Sequence, residues 1–250
     1  MPLPEIVPLV LAVCVAALFA GGFVKGVTGM GLPLVAVPVM ALVTDVAAVL
    51  PVIAIPTVLS NIVQVWQAGR LREAALRFWP AFLCIAVATW IGTGLVAVAD
   101  AELLRLVVGI VVIVLALVSL ARFAPEVSPA AERWLGPLAG TATGLLGGLT
   151  SIFSPPLAMY LLALKVGSDL FVSAMGIGML TGTVMFTGSL AGYDLLGPQE
   201  LVLATAAIAP VVGGQWCGTW MRRRLGAETF RRAVLAMLLA VGATLVWKSL

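Results

Sequence analysis

The sequence predicts an all-α polytopic membrane protein made of two inverted five-helix repeats, with broken or re-entrant helices at glycine-rich motifs. Three observations lead to this fold class. The chain is 62% hydrophobic and only 10% charged, with a mean hydropathy of +1.17. Ten apolar segments follow one another along its 250 residues. A glycine-rich stretch at 22–38 returns in altered form at 140–156.

The composition also limits the function classes. Soluble domains carry about 25% charged residues, so this chain lacks the polar surface that water requires. The net charge is +3 and the basic residues are scattered, so we expect a lipid bilayer as partner and no nucleic acid. The chain has no histidine, and its three cysteines are far apart. We therefore predict no catalytic residue, no metal site and no cofactor.

Each apolar segment is about the length of a membrane helix or of half of one. The segments are 6–24, 30–44, 46–67, 78–98, 102–121, 134–149, 152–165, 169–192, 198–220 and 229–248. No Lys or Arg precedes the first, so it is predicted to be a retained helix and not a signal peptide. The second and seventh are short and contain proline, and either could span the membrane or re-enter it.

An internal repeat relates the two halves. Gly140, Gly144 and Gly147 follow Gly22, Gly26 and Gly29 at one offset of 118 residues. Trp90, Gly92 and Thr93 are likewise followed by Trp216, Gly218 and Thr219 at an offset of 126. This predicts a first repeat at 1–121, a cytoplasmic linker at 122–133 and a second repeat at 134–250.

The basic residues predict the topology. If the N-terminus is outside and the ten segments alternate, eleven of the 14 Lys and Arg residues fall on the cytoplasmic side. Only Arg105 and Lys248 fall outside, and Lys25 lies on the cytoplasmic side or deeper. Because Lys and Arg are enriched in cytoplasmic loops, both termini are predicted to be periplasmic. Five helices per half give the halves opposite orientation, which is typical of alternating-access carriers.

The glycine-rich stretches are predicted to break helices within the membrane. Unwound backbone and helix N-termini attract anions without a charged side chain. For Gly22, Gly26, Gly140 and Gly144 the neighbouring Gly, Pro and Thr favour a broken helix over close packing. The predicted substrate-binding residues at the two breaks are Thr28, Gly29, Gly31, Gly147, Gly148, Thr150 and Ser154. The pairs Gly178–Gly182, Gly188–Gly192 and Gly214–Gly218 are predicted to pack helices.

Polar side chains elsewhere extend the predicted site. Lys25 lies within the first glycine-rich stretch, where its charge is either functional or extends to the cytoplasmic interface. Asn61 and Gln64 share a helical face with Thr57, either linking helices or lining a cavity, and the cavity is favoured. Gln215 occupies the position in its half that Thr89 has in the other. Asp45 and Asp169 are expected to cap the helices that follow them.

At these residues the sequence resembles the sulfite exporter TauE/SafE family. The resemblance is carried by the string GFVKGVTGMGLP at 22–33 and by the second glycine-rich motif at 140–156, in halves that cover nearly the whole chain. It implies a bacterial inner-membrane carrier for sulfur-containing or organic anions such as sulfite or sulfonates. The second motif departs from the family pattern with Ser151, Ser154 and paired prolines.

The predicted function is therefore secondary transport of a small anion by alternating access. One alternative is an intramembrane lipid-phosphate hydrolase, which would need a buried acid, base or nucleophile pair. Another is a passive anion channel, which would need a continuous polar pore. Solute, direction, coupling ion and oligomeric state are left open, with a homodimer as one candidate assembly.

Overall fold

The computed structural model describes residues 3–121, 129–222 and 227–249, which form eleven α-helices and no strand. Their bounds are α1 (Leu3–Thr28), α2 (Leu32–Met40), α3 (Val46–Trp66), α4 (Leu71–Val98), α5 (Ala101–Ala121), α6 (Pro129–Thr150), α7 (Ser154–Ala163), α8 (Ser168–Gly192), α9 (Pro198–Ala206), α10 (Ile208–Met221) and α11 (Ala227–Lys248). Within the described residues, six candidate spans are long and apolar enough to cross a bilayer. The predicted all-α polytopic membrane fold is confirmed, and the inversion between its halves stays a prediction.

The helices follow the ten predicted segments, with two differences. Several are longer than the segments, because a helix continues past the apolar membrane core into charged sequence; α4 begins at Leu71 and α6 at Pro129. The ninth segment forms two helices, α9 and α10, separated at Ala207. Pro210 has no N–H to donate to the carbonyl of Ala206, which accounts for a break there.

The chain divides into two compact units. Unit 1 comprises Met1–Pro56, Ala99–Ala121 and Pro198–Leu250, and unit 2 comprises Thr57–Val98 and Arg122–Gly197. Each unit draws on both halves of the sequence. The predicted boundaries at 1–121, 122–133 and 134–250 describe a duplication, which this division does not test.

In unit 1, α1 packs against α10 and α2, and α5 packs against α11. The two helices α5 and α11 come close together at Gly109 and Gly242. A Cβ built on either glycine would lie 3.1 Å from the carbonyl oxygen of the other. Small residues at such crossings let membrane helices come close together.

In unit 2, α4 packs against α6 and α8, and α7 packs against α6 and α8. The aromatic ring of Phe153, just before α7, contacts Phe186 on α8 edge to face, with 6.3 Å between ring centroids. The Phe78 ring on α4 meets Tyr160 on α7 in the same way, at 6.1 Å.

The two predicted carboxylate caps are not formed, and a third carboxylate makes one instead. The Asp45 carboxylate pairs with Arg105 across 3.3 Å instead of binding the α3 amides. Asp169 lies inside the first turn of α8, whose N-cap is Gly167. The Leu103 N–H of α5 donates to the Asp100 carboxylate at 2.7 Å. The error at Asp45 arises because a guanidinium on another helix competes for the carboxylate.

The short helices α2 and α7 correspond to the second and seventh segments. At 1.5 Å per residue α2 is about 14 Å long and α7 about 15 Å, half of the ~30 Å membrane core. After α2, the Leu42 carbonyl accepts a hydrogen bond from the Lys248 ammonium at the end of α11. Both helices therefore have the length of half-membrane arms.

Candidate functional site

The first break, in unit 1, separates α1 from α2 at residues 29–31. Gly29 and Gly31 have φ angles of 82° and 100°, in the left-handed region that side chains disfavour. The Gly29 N–H donates to the Lys25 carbonyl at 2.7 Å, closing the last turn of α1. The chain adopts this left-handed backbone to pass from α1 to α2. Glycine is needed at both positions because other residues disfavour positive φ angles.

The second break, in unit 2, separates α6 from α7 at residues 151–153. Ser151 has a φ of 60°, and its N–H donates to the Gly147 carbonyl at 2.6 Å. Its side chain is fully buried, and its hydroxyl has no hydrogen-bond partner among the residues that the structure describes. The left-handed residue is here a serine, which the glycine pattern could not reveal.

A threonine closes each break in the same way. The Thr28 hydroxyl lies 2.9 Å from the Val24 carbonyl oxygen and 2.6 Å from the Met30 carbonyl oxygen. It also accepts a hydrogen bond from the Met30 N–H at 3.3 Å. The Thr150 hydroxyl donates to the Leu146 carbonyl at 2.6 Å and accepts from the Ile152 N–H at 3.2 Å. Both predicted site residues thus shape the turn that ends a helix.

These contacts correct the predicted register of the repeat. Thr28 corresponds to Thr150 and Gly29 to Ser151, at an offset of 122 and not 118. The two offsets differ by four residues, which is about one helical turn. Glycines that recur at i and i+4 can be aligned equally well in either register. The counterpart of Lys25 is therefore Gly147 and not Thr143.

The glycines before each break are packing sites in continuous helices, which corrects their prediction as part of the broken backbone. Gly22 and Gly26 on α1 face the backbone of Val211 and Gln215 on α10. Gly140, Gly144 and Gly148 on α6 face the backbone of Ala81, Ile85 and Thr89 on α4. Packing was correctly predicted for Gly214–Gly218 and Gly178–Gly182, whereas Gly188 has no atom within 4 Å of a built Cβ.

Gly147 has a different neighbour from the other glycines of α6. The ring of Phe153 occupies the space beside it and beside Gly182 on α8. The start of α7 is thereby fixed to two helices of unit 2. By comparison, a Cβ at Gly29 would meet no atom within 4 Å.

The first break also carries a buried cation. Lys25 lies in the last turn of α1 and is 3% exposed. It is the one charged residue classed as buried among those whose burial the structure describes. Of the two interpretations of Lys25, extension to the interface does not fit this burial. A charge in a membrane segment is costly, and a nearby anion would reduce that cost.

The helix N-termini at the two breaks differ in hydrogen-bonding capacity. The first residues of a helix have N–H groups without an intrahelical acceptor. In α2, Leu32 and Leu34 keep such a group and Pro33 does not. In α7, Ser154 is followed by Pro155 and Pro156, so Ser154 alone of these three has an N–H. The first break therefore has more free amide donors at the start of its second helix.

The polar face of α3 is used in part to link helices of unit 2. The Asn61 amide is fully buried and donates to the Thr183 hydroxyl at 3.2 Å and the Met179 carbonyl at 3.4 Å. These hydrogen bonds support a role for Asn61 in linking helices, whereas the sequence favours a role in lining a cavity. The Gln64 Oε1 is buried without a hydrogen-bond partner in the described chain. Gln215 is half-buried on α10, and its carbonyl faces Gly26.

The link between Asn61 and Thr183 can be measured. We expect the coupling between Asn61→Ala and Thr183→Val in a double-mutant cycle to be about 0.6 kcal/mol, and at most about 1.7 kcal/mol. The measurement is reversible unfolding in mixed micelles. Thr187→Val is the control, because Thr187 donates to its own helix at the Thr183 carbonyl. Strictly additive effects of the first pair would contradict the hydrogen bond.

The left-handed conformation of Gly29 gives a second prediction. We expect Gly29→Ala to lower the free energy of unfolding by about 1–2 kcal/mol, through backbone strain alone, since the space around it is open. Gly29→Asn should cost less, because asparagine tolerates positive φ. Thermal melting of the purified variants measures the order. An alanine variant as stable as the asparagine variant would contradict it.

The fold, with six helices long and apolar enough to cross a bilayer among the described residues, defines a multi-pass membrane protein. The chain belongs to the sulfite exporter TauE/SafE family, because the model of that family matches residues 13–245. Neither a curated protein nor a solved structure matches the chain. Membership implies a membrane transporter of sulfite or related sulfur-containing anions.

Proposed function

We propose that this chain exports or exchanges a small sulfur-containing or organic anion, sulfite or a sulfonate, by alternating access. The observation that carries the proposal is the position of the buried Lys25 at the end of α1, four residues before the left-handed Gly29. The same break begins α2, so an ammonium group and free amide groups belong to one short stretch of unit 1.

The depth of the break supports transport over a surface role. We place Leu42 and the exposed Lys248 at a membrane surface, and the start of α2 then lies about 14 Å below it. Transporter binding sites characteristically lie near the bilayer midplane, at discontinuous helices whose N-termini face anionic groups. Gly31, Leu32 and Leu34 would provide the amides and Lys25 the charge.

The remaining predicted residues enter the proposal with different roles. Thr28 and Thr150 hold the breaks in shape, whereas Ser154, Gln64 and Gln215 are proposed to contribute polar contacts during transport. Gly147 and Gly148 act through packing. Export needs no buried acid, because an anion leaving a negative interior gains ~2.3 kcal/mol per charge per 100 mV. The bacterial inner membrane, with both termini periplasmic, is the proposed location.

Counterflow in proteoliposomes tests the proposal. Vesicles containing the purified chain are loaded with unlabelled sulfite, and entry of labelled sulfite is followed with and without an imposed voltage. We expect saturable entry that internal sulfite accelerates, with competition by sulfonates. Entry that internal sulfite does not accelerate would contradict alternating access and indicate a channel. Entry equal to that of empty vesicles would contradict sulfite as the solute.

A further inference from the structure

A cavity within unit 2 shares no residue with either break. It has a volume of about 410 Å³ and is enclosed by the first part of α4, the first part of α6 and Tyr160 on α7. Its polar lining comes from Arg77, Glu132, Arg133 and Tyr160, and Gly136 forms part of its wall. Tyr160 is about 9 Å along α7 from Ser154, closer to the end of that helix than to the break.

Tyr160 contributes a hydroxyl group to the lining of the cavity. It is only 7% exposed, and its ring is held against Phe78. Its hydroxyl lies beside Gly136, where a Cβ would be 2.9 Å from the oxygen. No described residue forms a hydrogen bond with this hydroxyl. A tyrosine hydroxyl at a cavity wall can donate a hydrogen bond to a ligand, and Tyr160 lines this cavity.

The cavity carries a net positive charge. Glu132 binds the Arg77 guanidinium through two hydrogen bonds of 2.7 and 2.9 Å, and that guanidinium lies 5.2 Å from the Phe78 ring centroid. These contacts fix Arg77 and offset its charge. Arg133 is exposed and forms no ion pair with any residue in the described ranges. Two guanidiniums against one carboxylate leave one positive charge for a ligand.

Exposed apolar side chains adjoin this polar cavity. Trp79 lines it and is 60% exposed, and Trp134, next to Arg133, is 83% exposed. Leu138 is also exposed, one turn after Trp134. Tryptophan is enriched at the membrane–water interface, at the level of the lipid headgroups. A lipid bound there has a polar headgroup and apolar acyl chains. A free inorganic anion would use the charge but not this apolar surface.

We propose that the cavity binds the headgroup of an acidic phospholipid. The phosphate accepts hydrogen bonds from the Tyr160 hydroxyl and from Arg133, while Arg77 is held at the cavity wall by Glu132. The acyl chains lie along Trp79, Trp134 and Leu138. The site is independent of the proposed anion path, because it shares no residue with either break.

Thermal melting of the purified full chain in detergent tests the site. Dioleoylphosphatidylglycerol is titrated against dioleoylphosphatidylcholine, and the apparent affinity is taken from the rise in Tm. We expect phosphatidylglycerol to stabilise the wild-type chain more than phosphatidylcholine. Tyr160→Phe and Arg133→Gln should each weaken the phosphatidylglycerol affinity about tenfold, as loss of a hydrogen bond to a charged group does.

Two variants are matched controls. Tyr193→Phe removes the only other tyrosine hydroxyl of the chain, and Arg72→Gln removes an exposed charge near the start of α4 that does not line the cavity. Both should keep wild-type affinity. Equal responses to the two lipids would overturn the proposal, as would equal losses in the control variants. Stabilisation by inorganic phosphate that phosphatidylglycerol no longer increases would show a site for free anions instead.

Discussion

Replacing Lys25 with methionine is expected to lower sulfite counterflow about 10- to 100-fold while the protein stays folded. A hydrogen bond to a charged group contributes about 1.5–3 kcal/mol, which corresponds to this range of affinities. Methionine keeps most of the side-chain volume and removes the buried ammonium group, and the Tm of the variant shows whether the fold is retained. Loss of transport without loss of stability identifies an anion-binding role.

Lys248→Met is the matched control for this experiment. Lys248 is a lysine at the end of α11 in the same unit, where its ammonium donates to Leu42. We expect near-wild-type counterflow from this variant. We expect partial counterflow from Lys25→Arg, because the guanidinium keeps the positive charge but differs in shape from the ammonium group. Wild-type rates in Lys25→Met would remove the lysine from the anion path. Equal losses in both methionine variants would point to a general effect of charge.

Gly148→Val is expected to have the largest effect on stability. A Cβ at Gly148 would lie 2.5 Å from the Thr89 carbonyl oxygen and 2.8 Å from the Thr93 nitrogen. Both are backbone atoms of α4, so the helices must move apart. Overpacking of this kind costs on the order of 3 kcal/mol, and the Tm should fall by roughly 10 °C.

Gly188→Ala provides the opposite case within unit 2. No heavy atom lies within 4 Å of a Cβ at Gly188, which is inside α8. Alanine is favoured over glycine in a helix by about 0.5–1 kcal/mol, so this variant should melt slightly higher than the wild type. If Gly148→Val melted like Gly188→Ala, the close approach of α4 and α6 would be wrong.

The fold class could be predicted from the sequence because membrane helices leave long apolar segments. Each of the ten segments corresponds to one helix or, at 198–220, to two. The split at Ala207 was missed because a single proline within an apolar run does not always interrupt a helix. The glycine-rich motifs located both breaks to within a few residues, since broken backbone in a membrane needs unusual residues.

The details of the candidate site were harder to predict. Spacing of glycines cannot distinguish a residue that packs a helix from one that breaks it, and so Gly22 and Gly26 were assigned to the wrong class. The left-handed Ser151 leaves no compositional signal at all. The link from Asn61 to Thr183 joins residues 122 positions apart, which no local pattern encodes. Burial of Lys25, likewise, depends on tertiary packing.

The proline pair at the start of α7 has a wider consequence for how the two halves have diverged. In each break a left-handed residue directly follows a threonine: Gly29 follows Thr28, and Ser151 follows Thr150. The capacity to attract an anion depends on neighbouring positions, where one half has Lys25 and two amide donors and the other has Gly147 and two prolines. If the two halves arose by duplication, as the repeat predicts, the two copies share a backbone shape and differ in their capacity to attract an anion.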